Sequence, residues 1–196
     1  KAAFNIGLDF GLLKDKAFAE MISYGIPALF LFGACAPVAA LLADKWNRKG
    51  MLTVFFIGIG LTSVLTGFSQ SILQVCIGLS SIGIFASIYH PVGISMVIEG
   101  DEKVGWRLGV NGVWGNMGVA GAPLMTGLII GIFDWRMAFI IPGIFSILFG
   151  LGFIVFVNGR PYDAPEIKNH EKELIGFATG WRRALIALSL ITAAGG

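Results

Sequence analysis

Long runs of apolar residues, broken at intervals by short charged turns, set the pattern of this chain. Ser23–Ala43 and Met51–Phe68 carry no charged side chain. Each is long enough to cross the hydrocarbon core of a bilayer as a helix, which takes roughly 17–25 residues. Three more such runs follow at Ile72–Ile98, Leu108–Phe133 and Met137–Val157, and a further one begins at Ala184 and reaches Gly196. Residues 1–13 read as the tail of an earlier helix. The runs do not alternate apolar with polar, which argues against a transmembrane barrel. Helices are the other way to satisfy every backbone group within lipid. The pattern therefore predicts an all-α, polytopic transmembrane bundle.

Between the first two runs lies Asp44-Lys45-Trp46-Asn47-Arg48-Lys49, four charges in six residues. Along the chain the turns alternate in charge. One set holds Lys45, Arg48, Lys49, Lys103, Arg107, Arg160, Lys168, Lys172, Arg182 and Arg183. The other holds Lys14, Lys16 and Arg136, with Lys1 if that end lies on the same side. Ten cations against at most four place the 44–49 turn in the cytoplasm, because cytoplasmic loops carry the excess of Lys and Arg. The stretch 158–183, with Pro161, Pro165 and His170 among mixed charges, reads as a cytoplasmic linker between two bundles. This divides the chain into a bundle over 1–157, a linker over 158–183 and the start of another span over 184–196.

Composition agrees with a membrane protein. Of 196 residues, 56% are hydrophobic and 13% charged, against about 25% charged in a soluble domain. A net charge of +2 offers no electrostatic support for binding nucleic acid. Cys35 and Cys76 both lie inside apolar runs, with no Cys-x-x-Cys and no Cys/His cluster, and read as packing residues. No metal site, cofactor site, phosphate loop, nucleophile elbow or pair of intramembrane carboxylates is present in the sequence, so nothing in it speaks for an enzyme.

Two segments of the later spans carry more than topology. In Tyr89-His90-Pro91-Val92-Gly93, His90 is the one side chain within a full span that ordinarily titrates near neutral pH. Such residues face a bundle interior or a water-filled path. Pro91 withdraws a backbone donor from the carbonyl near Ser87, so a bend is expected there. Tyr89 and His90 are candidates for a substrate or proton path; a neutral histidine bonded to a neighbouring helix would explain His90 as well. The next span carries Gly112, Gly115, Gly118 and Gly121 at intervals of three, then Pro123 and Gly127. This smooth face suits close helix packing. Asn111 and Asn116 are polar groups in the same apolar run, with Asn116 the better candidate for a cavity contact. The Glu99–Arg107 turn reads as solvated, with a partner role toward the Asp44–Lys49 turn as the alternative.

Ala40-Leu41-Leu42-Ala43-Asp44-Lys45-Trp46-Asn47-Arg48-Lys49 resembles the signature loop of the major facilitator superfamily, G-x-L-A-D-R-x-G-R-[RK]. Asp44, Arg48 and Lys49 match, and Lys45 replaces an arginine. Ala40 and Asn47 stand where the family has glycine; Asn is among the few other residues that accept a left-handed backbone, so that conformation is expected at Asn47. The Gly/Pro face resembles the family's fifth-helix motif, often associated with drug–proton antiporters, although Ala122 separates Gly121 from Pro123. Asp134-Trp135-Arg136-Met137-Ala138-Phe139 is similar to the family's W-R-x-x-F at the start of its sixth helix. It puts Arg136 at the outer interface, with Trp135 as an aromatic anchor. The histidine–proline pair followed by Gly115-Asn116-Met117-Gly118 looks like the fosmidomycin-resistance-type branch.

The resemblance implies two six-helix bundles with the substrate path between them. This chain would supply helices two to six of the first, the linker and the start of the seventh, as part of a longer parent. It also implies a gating latch at Asp44, Lys45, Arg48 and Lys49, although a plain solvated turn would explain those charges alone. The expected function is a secondary transporter in a cell membrane, a bacterial inner membrane by the resemblance, expelling a small molecule or drug by alternating access with protons as the coupling ion. Its partners would be the substrate, protons, the lipid bilayer and a C-terminal six-helix bundle of the same protein, with no nucleic acid. Two alternatives stay open: an uptake symporter of the same family, and a half bundle acting as a structural or sensor protein.

Overall fold

A computed structural model describes residues 2–14, 16–98 and 103–158. The 158–183 linker, apart from its first residue, and the 184–196 span lie outside the described residues. Among these residues seven helices follow in order: α1 (Ala2–Asp9), α2 (Ala17–Lys45), α3 (Arg48–Gly67), α4 (Ile72–Ala86), α5 (Tyr89–Ile98), α6 (Val104–Ile132) and α7 (Met137–Asn158). Among the described residues there is no strand. Five stretches are long and apolar enough to cross a membrane, with α4 and α5 together making one of them. The all-α bundle expected from the apolar runs is what the chain forms.

The helices run past the uncharged runs at their ends. α2 takes in Glu20 and Lys45, and α3 starts at Arg48, because a terminal turn can stay helical while its charges reach water. Two starts are capped locally. Asn47 is extended (φ −163°, ψ 146°), and its Oδ1 accepts from the Gly50 N–H. The left-handed backbone expected at Asn47 does not occur: among the described residues the only positive φ is at Gly11. Asn47 serves as an N-cap, a role for which its side-chain oxygen qualifies it. At α4, Ser71 Oγ accepts from Gln74 N–H at 3.3 Å, and Gln74 Oε1 accepts from Gln70 N–H at 2.6 Å.

α3 and α7 pack most closely. A Cβ built on Gly60 would lie 2.5 Å from Ile147 Cγ1 and 2.7 Å from the Gly143 carbonyl oxygen. The two helices also exchange hydrogen bonds. Ser63 Oγ of α3 donates to the Phe139 carbonyl, and Ser146 Oγ of α7 donates to the Phe56 carbonyl, both at 2.8 Å. Small residues and hydroxyls are the means by which helices associate where lipid is as apolar as leucine. Gly83 of α4 comes nearer still to its neighbour: a Cβ there would lie 2.3 Å from the Ala28 carbonyl oxygen of α2.

At the end of the bundle where α1 stops, a second set of contacts gathers four segments. Arg136 Nη1 donates to the carbonyls of Ser69 (2.6 Å) and Gly67 (3.4 Å), beyond and at the end of α3. Its Nη2 pairs with Asp9 Oδ2 at 3.2 Å. Trp135 Nε1 donates to the same Asp9 oxygen, also at 3.2 Å. The guanidinium lies 4.5 Å from the Trp135 ring centroid. Trp135 is only 4% exposed and meets Phe10 and Phe139 edge to face. The indole is thus packed between α1 and α7, with its N–H on Asp9.

Candidate functional site

The α4–α5 span breaks where Pro91 predicts. Residue 91 has no N–H to give the Ser87 carbonyl, and the chain tightens into a turn at Ser87 and Ile88. Ile88 N–H bonds to Phe85 O, three residues back, at 3.2 Å, and the helix resumes with Val92 N–H on Ile88 O at 3.2 Å. Ser87 is buried, and its hydroxyl donates to Ile84 O at 2.6 Å.

His90 is exposed within the bundle's described residues. Its ring stands edge-on to Phe32 of α2 and to Tyr89, each at 5.8 Å between centroids. Tyr89 lies 5.3 Å from Phe55 of α3, and its hydroxyl donates to Asn111 Oδ1 of α6 at 3.3 Å. Gly93, one turn on, leaves room for that ring: a Cβ there would stand 3.3 Å from Tyr89 Cε2. Thus Tyr89 touches both His90 and Asn111, and its neighbours draw in Phe32 of α2, Phe55 of α3 and Asn111 of α6. The result is an aromatic wall carrying one imidazole and one amide. It can present a donor or acceptor to a polar group and an aromatic face to an apolar one.

Asn116 does not join this cluster. It is exposed on α6, with no hydrogen bond among the described residues. The Gly112, Gly115, Gly118, Gly121 and Gly127 face is likewise open: a Cβ at any of them would meet no described atom within 4 Å. Pro123 on the same helix is exposed. The helix packing expected of this motif is not made with the described residues. Close glycine contacts occur instead at Gly58, Gly60 and Gly67 of α3, Gly78 and Gly83 of α4, and Gly143 and Gly150 of α7.

In the 44–49 turn, Asp44 Oδ1 stands 3.9 Å from Arg48 Nη2, across one helical step from the end of α2 to the start of α3. Asp44 is 69% exposed and Arg48 26%, so this pair is well solvated and contributes little by itself. Lys45 is exposed and Lys49 half-buried. Trp46 Cη2 and Cζ2 would stand 3.1 Å from a Cβ on Gly50, so the indole covers the first turn of α3. Among the described residues no group of three or more His, Cys, Asp or Glu could hold a metal ion. Phe32 and Phe55, which wall the site, have no sequence signal that separates them from the other phenylalanines among 16.

The family model described as Major Facilitator Superfamily matches residues 10–196. The chain belongs to the major facilitator superfamily. With five helices among the described residues able to cross a membrane, it is a multi-pass membrane protein. It is 26% identical over 211 aligned positions to the probable sulfoacetate transporter SauU of Cupriavidus necator, covering 96% of this chain and 47% of that protein. It is 30% identical over 141 positions to the multidrug resistance protein MdtG of Yersinia enterocolitica, covering 71% of this chain and 34% of the relative. The nitrate/nitrite transporter NrtP of Nostoc punctiforme is 26% identical over 184 positions, covering 87% and 35%. The chain spans less than half the length of these relatives.

Proposed function

We propose that this chain forms part of a secondary transporter that expels a small molecule in exchange for protons by alternating access. The observation that carries the reading is Tyr89 at the break of the α4–α5 span, with its ring against His90 and its hydroxyl on Asn111. An imidazole against an aromatic wall, next to a tyrosine that reaches a polar amide and at a point where the helix is already interrupted, suits a site that must bind, release and change protonation. Asn116 and the open glycine face of α6 then face a second six-helix bundle of the same protein, which completes the path. The 44–49 turn lies in the cytoplasm on the balance of Lys and Arg. There Asp44, Lys45, Arg48 and Lys49 form a latch between α2 and α3. The protein works in a cell membrane, a bacterial inner membrane by its likeness to bacterial transporters, with lipid around it and no role for nucleic acid or enzyme chemistry.

Similarity to MdtG, named for multidrug resistance, supports efflux. The His90-Pro91 pair and Gly115-Asn116-Met117-Gly118 support a fosmidomycin-resistance-like branch. Similarity to SauU and NrtP, named for sulfoacetate and for nitrate and nitrite, supports uptake by symport as a second reading.

Flux of labelled fosmidomycin and sulfoacetate in proteoliposomes holding the whole protein, under pH gradients of either sign, separates these readings. Antiport predicts substrate movement against the proton flow. Movement with the protons favours symport. Absence of any gradient-driven flux favours a half bundle that senses or scaffolds rather than transports.

A further inference from the structure

Asp9 is the last residue of α1, and a carboxylate is the wrong charge for that place. The free carbonyls at a helix end carry negative potential, which favours a cation. What holds Asp9 is the pair across from it. Trp135 Nε1 and Arg136 Nη2 both donate to its Oδ2, each at 3.2 Å. Charge-assisted bonds to a carboxylate are ordinarily about 2.7–2.9 Å, so this one sits loosely between its donors.

The donors keep their place by other contacts. Arg136 Nη1 is anchored on the Ser69 and Gly67 carbonyls. The guanidinium lies 4.5 Å from the centroid of the Trp135 ring, and that indole is buried with Phe139 edge-on to it. Asp134, the nearest other acid in sequence, is occupied elsewhere: its Oδ1 accepts from the amides of Arg136 and Met137 at 3.0 and 3.3 Å. An indole N–H and a guanidinium N–H that converge on one oxygen make a two-donor oxyanion site, and the chain's own carboxylate fills it. Water reaches the pair, since the side chains of Arg136 and Asp9 are 30% and 49% exposed. The site lies at the opposite end of the bundle from the 44–49 turn, because α3 runs from Arg48 at that turn to Gly67 here.

The geometry points to an exchange site at Trp135 and Arg136 for a soluble organic oxyanion, a carboxylate or sulfonate, which takes the place of Asp9 and releases the end of α1 from α7. One negative group leaves the donors as another arrives, so the guanidinium is never left without a counter-charge. The site needs neither His90 nor a coupling ion, and stands apart from the transport reading.

Trp135 reports on the exchange. Sulfoacetate is titrated into the whole protein in detergent free of phospholipid, against sodium chloride at equal ionic strength. The Trp135 signal is the difference in fluorescence made by Trp135→Phe in each background. Wild type is expected to show a saturable change that chloride does not reproduce. Asp9→Ala removes the competing carboxylate, a charged hydrogen-bond partner worth roughly tenfold, so half-saturation falls to about a tenth of the wild-type concentration. Asp9→Asn removes the charge at constant size, lowers half-saturation in the same direction, and carries the comparison where the alanine variant does not fold. Arg136→Gln abolishes the change. Absence of a saturable change in wild type, a half-saturation that both Asp9 variants leave where it was, or a response that survives Arg136→Gln overturns the site. So does a response to phosphatidylglycerol micelles with none to sulfoacetate, which would make it a place for a lipid headgroup rather than for a soluble anion.

Discussion

Substituting Gly60 by alanine tests the packing that sets the α3–α7 pair. The new methyl would sit 2.5 Å from Ile147 Cγ1, 2.7 Å from the Gly143 carbonyl oxygen and 2.9 Å from the Ile147 nitrogen. Two of these three neighbours are backbone, so no rotamer change relieves the clash. Ordinary contact begins near 3.4 Å, so the helices must part by about 0.7 Å there, and overpacking of this kind costs about 1–3 kcal/mol. Separation also stretches the Ser63–Phe139 and Ser146–Phe56 hydrogen bonds, each 2.8 Å now and each worth about 0.6 kcal/mol between membrane helices. The sum is about 2–4 kcal/mol, or a fall of roughly 5–15 °C in the unfolding midpoint for a protein of this size. Gly152→Ala on α7 is the control. No described atom lies within 4 Å of its built Cβ, so the change gains helix propensity of up to about 1 kcal/mol without a clash. Heating in detergent with a thiol-reactive dye reads both, since Cys35 and Cys76 are free and half-buried. If Gly60→Ala unfolds at the wild-type temperature, or at that of Gly152→Ala, the close packing of α3 on α7 is refuted.

Two further expectations come from the helix ends. Asn47→Ala removes the N-cap of α3 and lowers stability by about 1 kcal/mol, whereas Asn47→Gly costs only a few tenths; a clear gain in the glycine variant, read in the same melt, would restore the left-handed conformation that the extended backbone contradicts. Arg136→Lys keeps the charge but loses the fork that reaches Ser69, Gly67 and Asp9 together; with both partners part-exposed, the expected loss is about 1–2 kcal/mol, and a variant as stable as wild type would show the contact to be incidental.

What the sequence made legible follows from how local each feature is. Apolar runs marked the five spans because length and absence of charge decide whether a helix can cross lipid. Pro91 marked the bend because a missing N–H acts on its own turn. The glycines were harder to read. With 28 in the chain, their spacing drew attention to α6, whose glycine face meets no described atom, while the tight contacts fell on α3, α4 and α7. Which glycine is pressed depends on the helix brought opposite, and no local pattern records that. The Asp9–Arg136 pair joins residues 127 apart, and neither one's neighbours in sequence identify its partner. Asn47 kept its position in the signature loop but changed its task, from conformational freedom to capping, because its side-chain oxygen is within reach of Gly50 N–H.

Exchange of protons for substrate through His90 is the claim on which the functional account turns. The direct measurement is proton movement during fosmidomycin and sulfoacetate flux in proteoliposomes of the whole protein, wild type against His90→Ala. The account predicts that substrate-linked proton movement and its dependence on pH disappear in the variant while the protein still folds and melts as wild type. A variant that moves substrate with the same proton dependence as wild type would contradict it.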